Sequence, residues 1–462
     1  MRTHAAHKPA PPALRDRKVV VLGLARSGTA AAELLHAHGA RVVGVDEGAS
    51  AAAVLGGEWA RRTLAAAHAQ ADPAILDDAA LLVLSPGVPT THPLVRAATA
   101  RRLPVLSEIE LAYRFCPAPV LAVTGSKGKS TTTALIGALL DAAGVEHIVA
   151  GNIGVAWSAV VERLTPRHWA VLEISSFQLE TVDTFHAHAA VLLHVSPDHL
   201  DRYDNMEAYA AAKARITRHQ TESDWLVTDP GDPWGERAAR AAAAKVAGFG
   251  HAWAGRGVTR VGDAFVWQDG EQHEMLAEVG DVPLLGDHNR SNVMAALAVV
   301  RALGLWTAAA RDGLRRFPGL EYRMQPCGEI SGVRFINDAK STTVESVRAA
   351  VRGLPGTLVL AVGGRNKGLD WSALGADLAH VRAVLVFGEA ADEITRQIGD
   401  AAVVSRVGDL VELVQRALEL ARPGDTVLFS PGCTSFDMFQ NAEQRGAAFS
   451  AAVRDSSQGS RR

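Results

Sequence analysis

The sequence predicts an α/β protein of three units in series, each built around its own mostly parallel sheet. Three observations carry that expectation. Short apolar runs alternate with helical patterns in a βαβ rhythm along nearly the whole chain. One strand runs into the glycine loop Thr124-Gly125-Ser126-Lys127-Gly128-Lys129-Ser130. Polar clusters repeatedly follow the apolar runs directly, as loops at the carboxyl edge of a parallel sheet do.

The first block opens with Lys18-Val19-Val20-Val21-Leu22-Gly23, a buried-strand pattern. A helical stretch follows through Ala30–Leu35, then a strand ending in Asp46 and another closed by Ser85-Pro86-Gly87. It ends near Cys116-Pro117, giving residues 1–116. The second block, 117–318, holds the glycine loop, strands near Trp169–Leu172 and Ala190–His194, and a helix over Met206–Thr217. Its Gly- and Trp-rich stretch Gly248–Glu278 reads as a β-insertion, and its last helix as Asn289–Leu303. The third block, 319–462, alternates a strand over Gly356–Val362, a strand over Ala383–Phe387, a helix over Leu410–Leu420 and a strand over Thr426–Phe429. Both ends, Met1–Lys18 and Arg454–Arg462, read as loose tails.

The 462 residues are 48% hydrophobic and 21% charged, ordinary globular material with room for several domains. A formal net charge of -3 gives no basic excess for nucleic acid. No apolar run reaches membrane-spanning length. Cys116, Cys327 and Cys433 are widely spaced and form neither a metal pattern nor a disulfide framework, which fits a reducing cytoplasm.

The glycine loop carries the sharpest chemistry. Gly125 and Gly128 let backbone N–H groups turn onto phosphate oxygens, and the following helix adds partial positive charge at its N-terminus. Lys129 reaches terminal phosphates, and the Ser130 or Thr131 hydroxyl suits Mg²⁺. The protein is thus expected to bind ATP or GTP. Gly23-Leu24-Ala25-Arg26-Ser27-Gly28 with Asp46 is a weaker dinucleotide-like pattern. Ala25 stands where a glycine would admit the pyrophosphate, so NAD is disfavoured. Glu173 at a strand end suits Mg²⁺, and Asp198-His199-Leu200-Asp201-Arg202-Tyr203 packs acids, an imidazole and a guanidinium into one turn. Taken alone, Lys213 reads as an exposed helix lysine. Asn289 and Asn292 lie in an amide-rich helix start. Arg323 and the run Asn337-Asp338-Ala339-Lys340-Ser341-Thr342 flank one strand. Lys367 lies in a loop after another strand, and Ser435 and Phe436 in a loop after a third.

In this order the motifs T-G-S-K-G-K-S, G-N-I-G, L-E-I-S-S-F-Q-L, D-H-L-D-R-Y, N-D-A-K-S-T and S-P-G-C-T-S-F-D resemble the Mur ligases, the ATP-dependent amino-acid ligases of bacterial cell-wall synthesis. The resemblance runs from about Val19 to Phe449. It implies a three-domain Mur ligase architecture: a Rossmann-like N-terminal domain, a central P-loop ATPase domain and a Rossmann-like C-terminal domain. The branch matched best joins D-glutamate to UDP-N-acetylmuramoyl-L-alanine through an acyl phosphate. The precursor would lie near Ser27, Asp46, Ser85, Gly87 and Asn152. ATP would meet Gly125, Ser126, Lys127, Gly128, Lys129, Ser130 and Thr131. Asn289 and Asn292 would face its adenine, and Arg323 and Asp338 its phosphates and ribose. Two Mg²⁺ ions would be held by Ser130, Thr131, Glu173 and His199, with Lys213 carbamylated beside them. Glutamate would bind Lys340, Thr342, Lys367, Ser435 and Phe436. Catalysis would rest on Lys129, His199, Lys213 and Arg323. A monomer that closes about Pro318 is expected.

Several positions depart from the family pattern: Lys127, Tyr322, Ser341 and, most consequentially, Ala442, where an aromatic commonly stands near the glutamate. Ligation of L-glutamate is therefore an alternative within the family. A folylpolyglutamate-synthetase-like ligase would lack the first block. A catalytically silent nucleotide-binding protein would not need Lys129, Glu173, His199 and Lys213 together.

Overall fold

The structure, a computed structural model, describes residues 13–48, 51–250, 255–284 and 286–459. Three sheets organise them. The first is five-stranded and parallel, in the order Ala66–His68, Arg41–Val45, Lys18–Leu22, Ala79–Leu84, Val105–Ser107. The strand order reverses beside Lys18–Leu22, so a crevice opens there at the carboxyl edge.

The apolar run of that central strand is legible residue by residue. Val19 and Val21 point to one face, into a core shared with the second sheet, while Val20 and Leu22 point to the other. Leu81 and Val83 against Leu82 and Leu84 repeat the alternation. Burial on both faces explains why no polar residue interrupts these strands.

The second sheet has nine strands. Val120–Thr124 lies at its heart between Trp169–Glu173 and Ala189–Leu192. Gly257–Val261, Ala264–Asp269 and Gln272–Glu278 extend its far edge as an antiparallel meander after Lys245–Gly250, so the expected β-insertion is a continuation of the sheet. The helix expected over Asn289–Leu303 runs Asp287–Ala302, and it is not the last of its block: Ala308–Arg316 follows, capped by the Thr307 hydroxyl accepting from Ala310 N–H.

The third sheet has six strands in the order Gln325–Ile330, Val333–Asn337, Thr426–Gly432, Leu358–Gly363, Val381–Phe387, Val404–Arg406, antiparallel only at the first pair. Leu358, Leu360 and Val362 face one core layer, Val359 and Ala361 the other. The helix Leu410–Leu420 has the expected bounds, and Asp409 caps it by accepting from Val411 and Glu412 N–H.

Two compact units result. One comprises Met1–Val282 with Ser291–Phe317 and contains the first two sheets; the other comprises Pro283–Arg290 with Pro318–Arg462. Both expected tails are shorter than read. Residues 1–12 lie outside the described residues, yet Leu14 is already buried in the first core. At the other end the helix Ala442–Gly459 includes much of the segment read as frayed, because Phe449, Ala452 and Val453 pack under the third sheet. Among the described residues no helix is long and apolar enough to cross a membrane.

Candidate active site

The phosphate loop follows Val120–Thr124 and leads into the helix Lys129–Ala142. Gly128 has φ +85, and a Cβ there would lie 2.1 Å from Oδ1 of Asn292. Only glycine permits this turn beside that amide. The Lys129 ammonium donates to the carbonyls of Gly125 and Ser126, each at 3.0 Å. Ser126 Oγ donates to the Ser196 carbonyl at 2.8 Å, accepts from Ser196 N–H at 3.0 Å and meets Tyr209 Oη at 3.1 Å. Lys127 pairs with Asp198 at 3.5 Å. The cradle is thus braced by the segment after the neighbouring strand and by the helix Met206–Ala214.

Lys213 overturns the reading of an exposed helix lysine. It is 1% exposed, its side-chain nitrogen donates to the Gly125 carbonyl at 2.8 Å, and it lies 4.3 Å from the centre of the Tyr209 ring. Burial, reinforced by the positive charge of Lys129, pushes its amine down to about 6; the charges of Asp198 and Glu173 oppose this. Tyr209 stands four residues earlier on the same helix face, a spacing legible in the sequence that the sequence reading did not use.

Glu173 ends the strand Trp169–Glu173 and is 1% exposed. Its Oε1 accepts from the Asn152 side-chain amide at 2.6 Å, while its Oε2 is buried without a hydrogen-bond partner. The next turn is a capping box: Ser175 Oγ accepts from Gln178 N–H, and Gln178 Oε1 accepts from Ser175 N–H. That box carries Phe177, whose ring centre lies 4.7 Å from that of His199. His199 has φ +55 and is half-exposed, and its imidazole is held below its ordinary value mainly by burial. Among the described residues no cluster of three or more His, Cys, Asp or Glu could hold a metal. A Mg²⁺ ion nevertheless fits the donor set. An orphaned buried carboxylate oxygen stands at the end of a strand beside the loop strand, and Ser130 and Thr131 open the loop's helix. Mg²⁺ typically takes one or two protein oxygens and completes its shell with phosphate and water.

At the first sheet's crevice, a Cβ on Gly23 would lie 2.8 Å from Ser85 Cβ, so only glycine lets the two turns approach. A Cβ on Gly28 would lie 1.7 Å from the Gly23 carbonyl oxygen, which holds the helix Arg26–Ala37 tight against the turn. Asp46 is engaged locally: its carboxylate accepts from Leu24 N–H at 2.5 Å and Gly48 N–H at 2.8 Å. Ser27 and Ser85 are buried at the same edge. Two arginines outside the sequence-derived site tie this crevice to the second sheet. Arg26 donates to the carbonyls of Asn152 and Gly154, both at 2.8 Å. Arg202 donates to the Pro86 and Val88 carbonyls at 3.1 and 3.3 Å while paired with Glu180 at 2.7 Å. Asn152 thus acts on Glu173 through its side-chain amide and on Arg26 through its carbonyl.

In the second compact unit, Asp338 is buried. Its Oδ2 accepts from Ser430 Oγ at 2.8 Å and its Oδ1 from Met324 N–H at 3.2 Å. Burial pushes its carboxyl up to about 6, although Ser430 and the charge of Arg323 oppose this. Lys340 pairs with Glu443 at 3.3 Å. Ser435 is buried, Thr342 partly so, Lys367 is exposed, and Phe436 is 63% exposed. Asn289 is buried in this unit. Cys433 is buried with its thiol pushed up to about 12 by desolvation, a structural residue and not a nucleophile.

Three family models match in chain order: "Mur ligase MurD-like, N-terminal domain" over residues 17–107, "Mur ligase middle domain" over 123–300, and "Mur ligase, glutamate ligase domain" over 322–433. The chain belongs to the Mur ligase family. As a Mur ligase it is an ATP-dependent, amide-forming ligase. The UDP-N-acetylmuramoylalanine–D-glutamate ligase of Acidobacterium capsulatum is 39% identical, over 94% of this chain and 96% of its own. That of Anaeromyxobacter dehalogenans is 40% identical, over 95% and 98%. The MurF ligase of Thermotoga maritima, solved in complex with ADP, shares the fold with a TM-score of 0.61 at 16% identity, over 99% of this chain and 100% of its own.

Proposed function

We propose that this Mur ligase joins D-glutamate to UDP-N-acetylmuramoyl-L-alanine, with residues 1–116 taking the precursor, 117–318 the ATP and 319–462 the amino acid. The names of the full-length relatives support the substrates. The single observation that carries the chemistry is the buried Lys213 held on the Gly125 carbonyl beside the phosphate loop.

The precursor's alanine carboxylate attacks the γ-phosphate of ATP, breaking its bond to the β-phosphate oxygen, and gives an acyl phosphate and ADP. The glutamate amine then attacks that carbonyl and expels phosphate. Lys129 and the loop N–H groups hold the phosphates and offset the charge that spreads over them. Mg²⁺ bound by Glu173, His199, Ser130 and Thr131 would supply further neutralisation of the phosphate oxygens. An amine with its pKa near 6 is mostly unprotonated at neutral pH, the form that adds to CO₂. Nitrogen–carbon bond formation releases one proton and leaves a carbamate anion. Lys213 then presents a negative group where a buried ammonium would repel both Lys129 and a metal ion.

The test is phosphate release with ATP, Mg²⁺ and UDP-N-acetylmuramoyl-L-alanine, with D- or L-glutamate added in parallel. Release with D-glutamate alone is expected. Release with L-glutamate alone assigns the other enantiomer and points to Ala442, the first residue of the helix Ala442–Gly459. Release with neither removes glutamate as the acceptor.

A further inference from the structure

We propose that Arg445 is the positioning residue of the amino-acid site, a clamp that sets the spacing of the loops carrying Lys340 and Ser435. The proposal rests on the reading that those two residues bind glutamate. Arg445 lies on the helix Ala442–Gly459 and is fully buried. Its Nη1 donates to the Cys433 carbonyl at 3.0 Å and its Nη2 to the Ala339 carbonyl at 2.8 Å. Ala339 directly precedes Lys340, and Cys433 stands two residues before Ser435. The two loops follow the adjacent parallel strands Val333–Asn337 and Thr426–Gly432.

A third loop runs close by the same guanidinium. A Cβ on Gly364, at the end of the next strand, would lie 3.2 Å from Arg445 Nη1 and 2.3 Å from the Thr434 carbonyl oxygen. Arg365 and Thr434 exchange backbone hydrogen bonds at 3.0 and 3.1 Å. Asp437 reaches the fourth loop by accepting from Glu389 N–H at 3.1 Å. The carboxyl edge of four neighbouring strands is stitched into one rim, with Arg445 beneath it.

A planar guanidinium presents its N–H groups at fixed separation, so it dictates the distance between two acceptors; an ammonium acts as a point donor and does not. Burying a guanidinium in a core costs stability that an apolar side chain of similar length would not. Arg445 stays charged at neutral pH even though burial lowers it to about 10. Its Nε makes no hydrogen bond, so its polar work is concentrated on the two loop carbonyls.

The test uses the full-length enzyme with Arg445→Met and Arg445→Lys, and with Lys340→Ala and Ser435→Ala as reference arms. Steady-state KM is measured for glutamate, ATP and precursor, together with Tm. For Arg445→Met the glutamate KM should rise about tenfold or more while the other two stay within about twofold, with Arg445→Lys between it and wild type. If Arg445→Met does not fold, the lysine variant decides by the same split. An unchanged glutamate KM, or an equal loss for all three substrates that tracks the fall in Tm, overturns the clamp. If Lys340→Ala and Ser435→Ala also leave the glutamate KM unchanged, the site reading fails and takes the clamp with it. If they raise it and the Arg445 variants do not, only the clamp falls.

Discussion

The Lys213 side-chain nitrogen lies 2.8 Å from the carbonyl oxygen of Gly125, so a lysine without solvent access touches the first glycine of the phosphate loop. An ordinary lysine would lose several kcal/mol on such burial unless paired. The amine's low proton affinity is how the fold accommodates it.

Lys213→Ala should therefore lower turnover by a factor on the order of 100 or more, the range of a lost transition-state charge contact. Short carboxylic acids should restore part of it. Wild-type enzyme in CO₂-depleted buffer should lose activity and regain it on adding bicarbonate. Full turnover by Lys213→Ala would remove the carbamate from the mechanism.

Asp338 makes a second prediction, about pH. Its carboxyl holds a proton more tightly when folded, with a pKa of about 6 against 3.8. Its contribution to stability is therefore complete below pH 3.8 and is lost as pH rises through about 6. Two pKa units correspond to about 3 kcal/mol. Asn fits the same partners, its oxygen accepting from Met324 N–H and its amide donating to Ser430 Oγ. Asp338→Asn should raise Tm at pH 7, and the gain should vanish near pH 4. ATP should bind the variant more weakly. A Tm difference independent of pH would show that folding leaves the carboxyl's proton affinity unchanged.

Gly128→Ala should abolish ATP binding by calorimetry, because the methyl group would sit 2.1 Å from the Asn292 amide oxygen in a left-handed turn. Retained affinity would mean that the loop can open away from Asn292 at little cost.

Glu110 tests stability apart from chemistry. Its fully buried carboxylate accepts from the N–H groups of Asp183, Thr184 and Phe185 and from the Thr184 hydroxyl, and pairs with Arg114 at 2.9 Å. Glu110→Gln turns an NH₂ group toward those donors. A loss of about 3–5 kcal/mol is expected in denaturant unfolding, whereas a change under about 1 kcal/mol would mean the loop 183–185 re-forms around the amide.

Much of this was legible in the residues. The strands of the parallel sheets announced themselves because Val19–Leu22 and Leu81–Leu84 are apolar on both faces, and the phosphate loop because its glycines, lysine and flanking strand and helix all agree. Lys213 was misread from its own segment. The i−4 spacing to Tyr209 was there to be read, but burial of Lys213 also depends on the Gly125 carbonyl of the loop 125–128, which reaches it through tertiary packing that helix periodicity does not register. Arg445 escaped for a related reason: its partners are backbone carbonyls, and a carbonyl carries no sequence signature. The last turns of the terminal helix were taken for a frayed tail because Arg454–Gly459 carry no apolar residue, while Phe449, Ala452 and Val453, which seat the helix, lie just before them.

The alternation in the first sheet bears on how such ligases can be recombined. Val19 and Val21 share one apolar layer with Ala122, Ala170 and Leu172 of the second sheet. Cutting the chain after Cys116 would strip the cover from that layer on both pieces. A chimera that exchanges the first block alone would have to match this hidden surface side chain for side chain, whereas one that moves the first two blocks together carries the surface with it. Precursor specificity is therefore heritable in a larger parcel than the block that would bind the precursor.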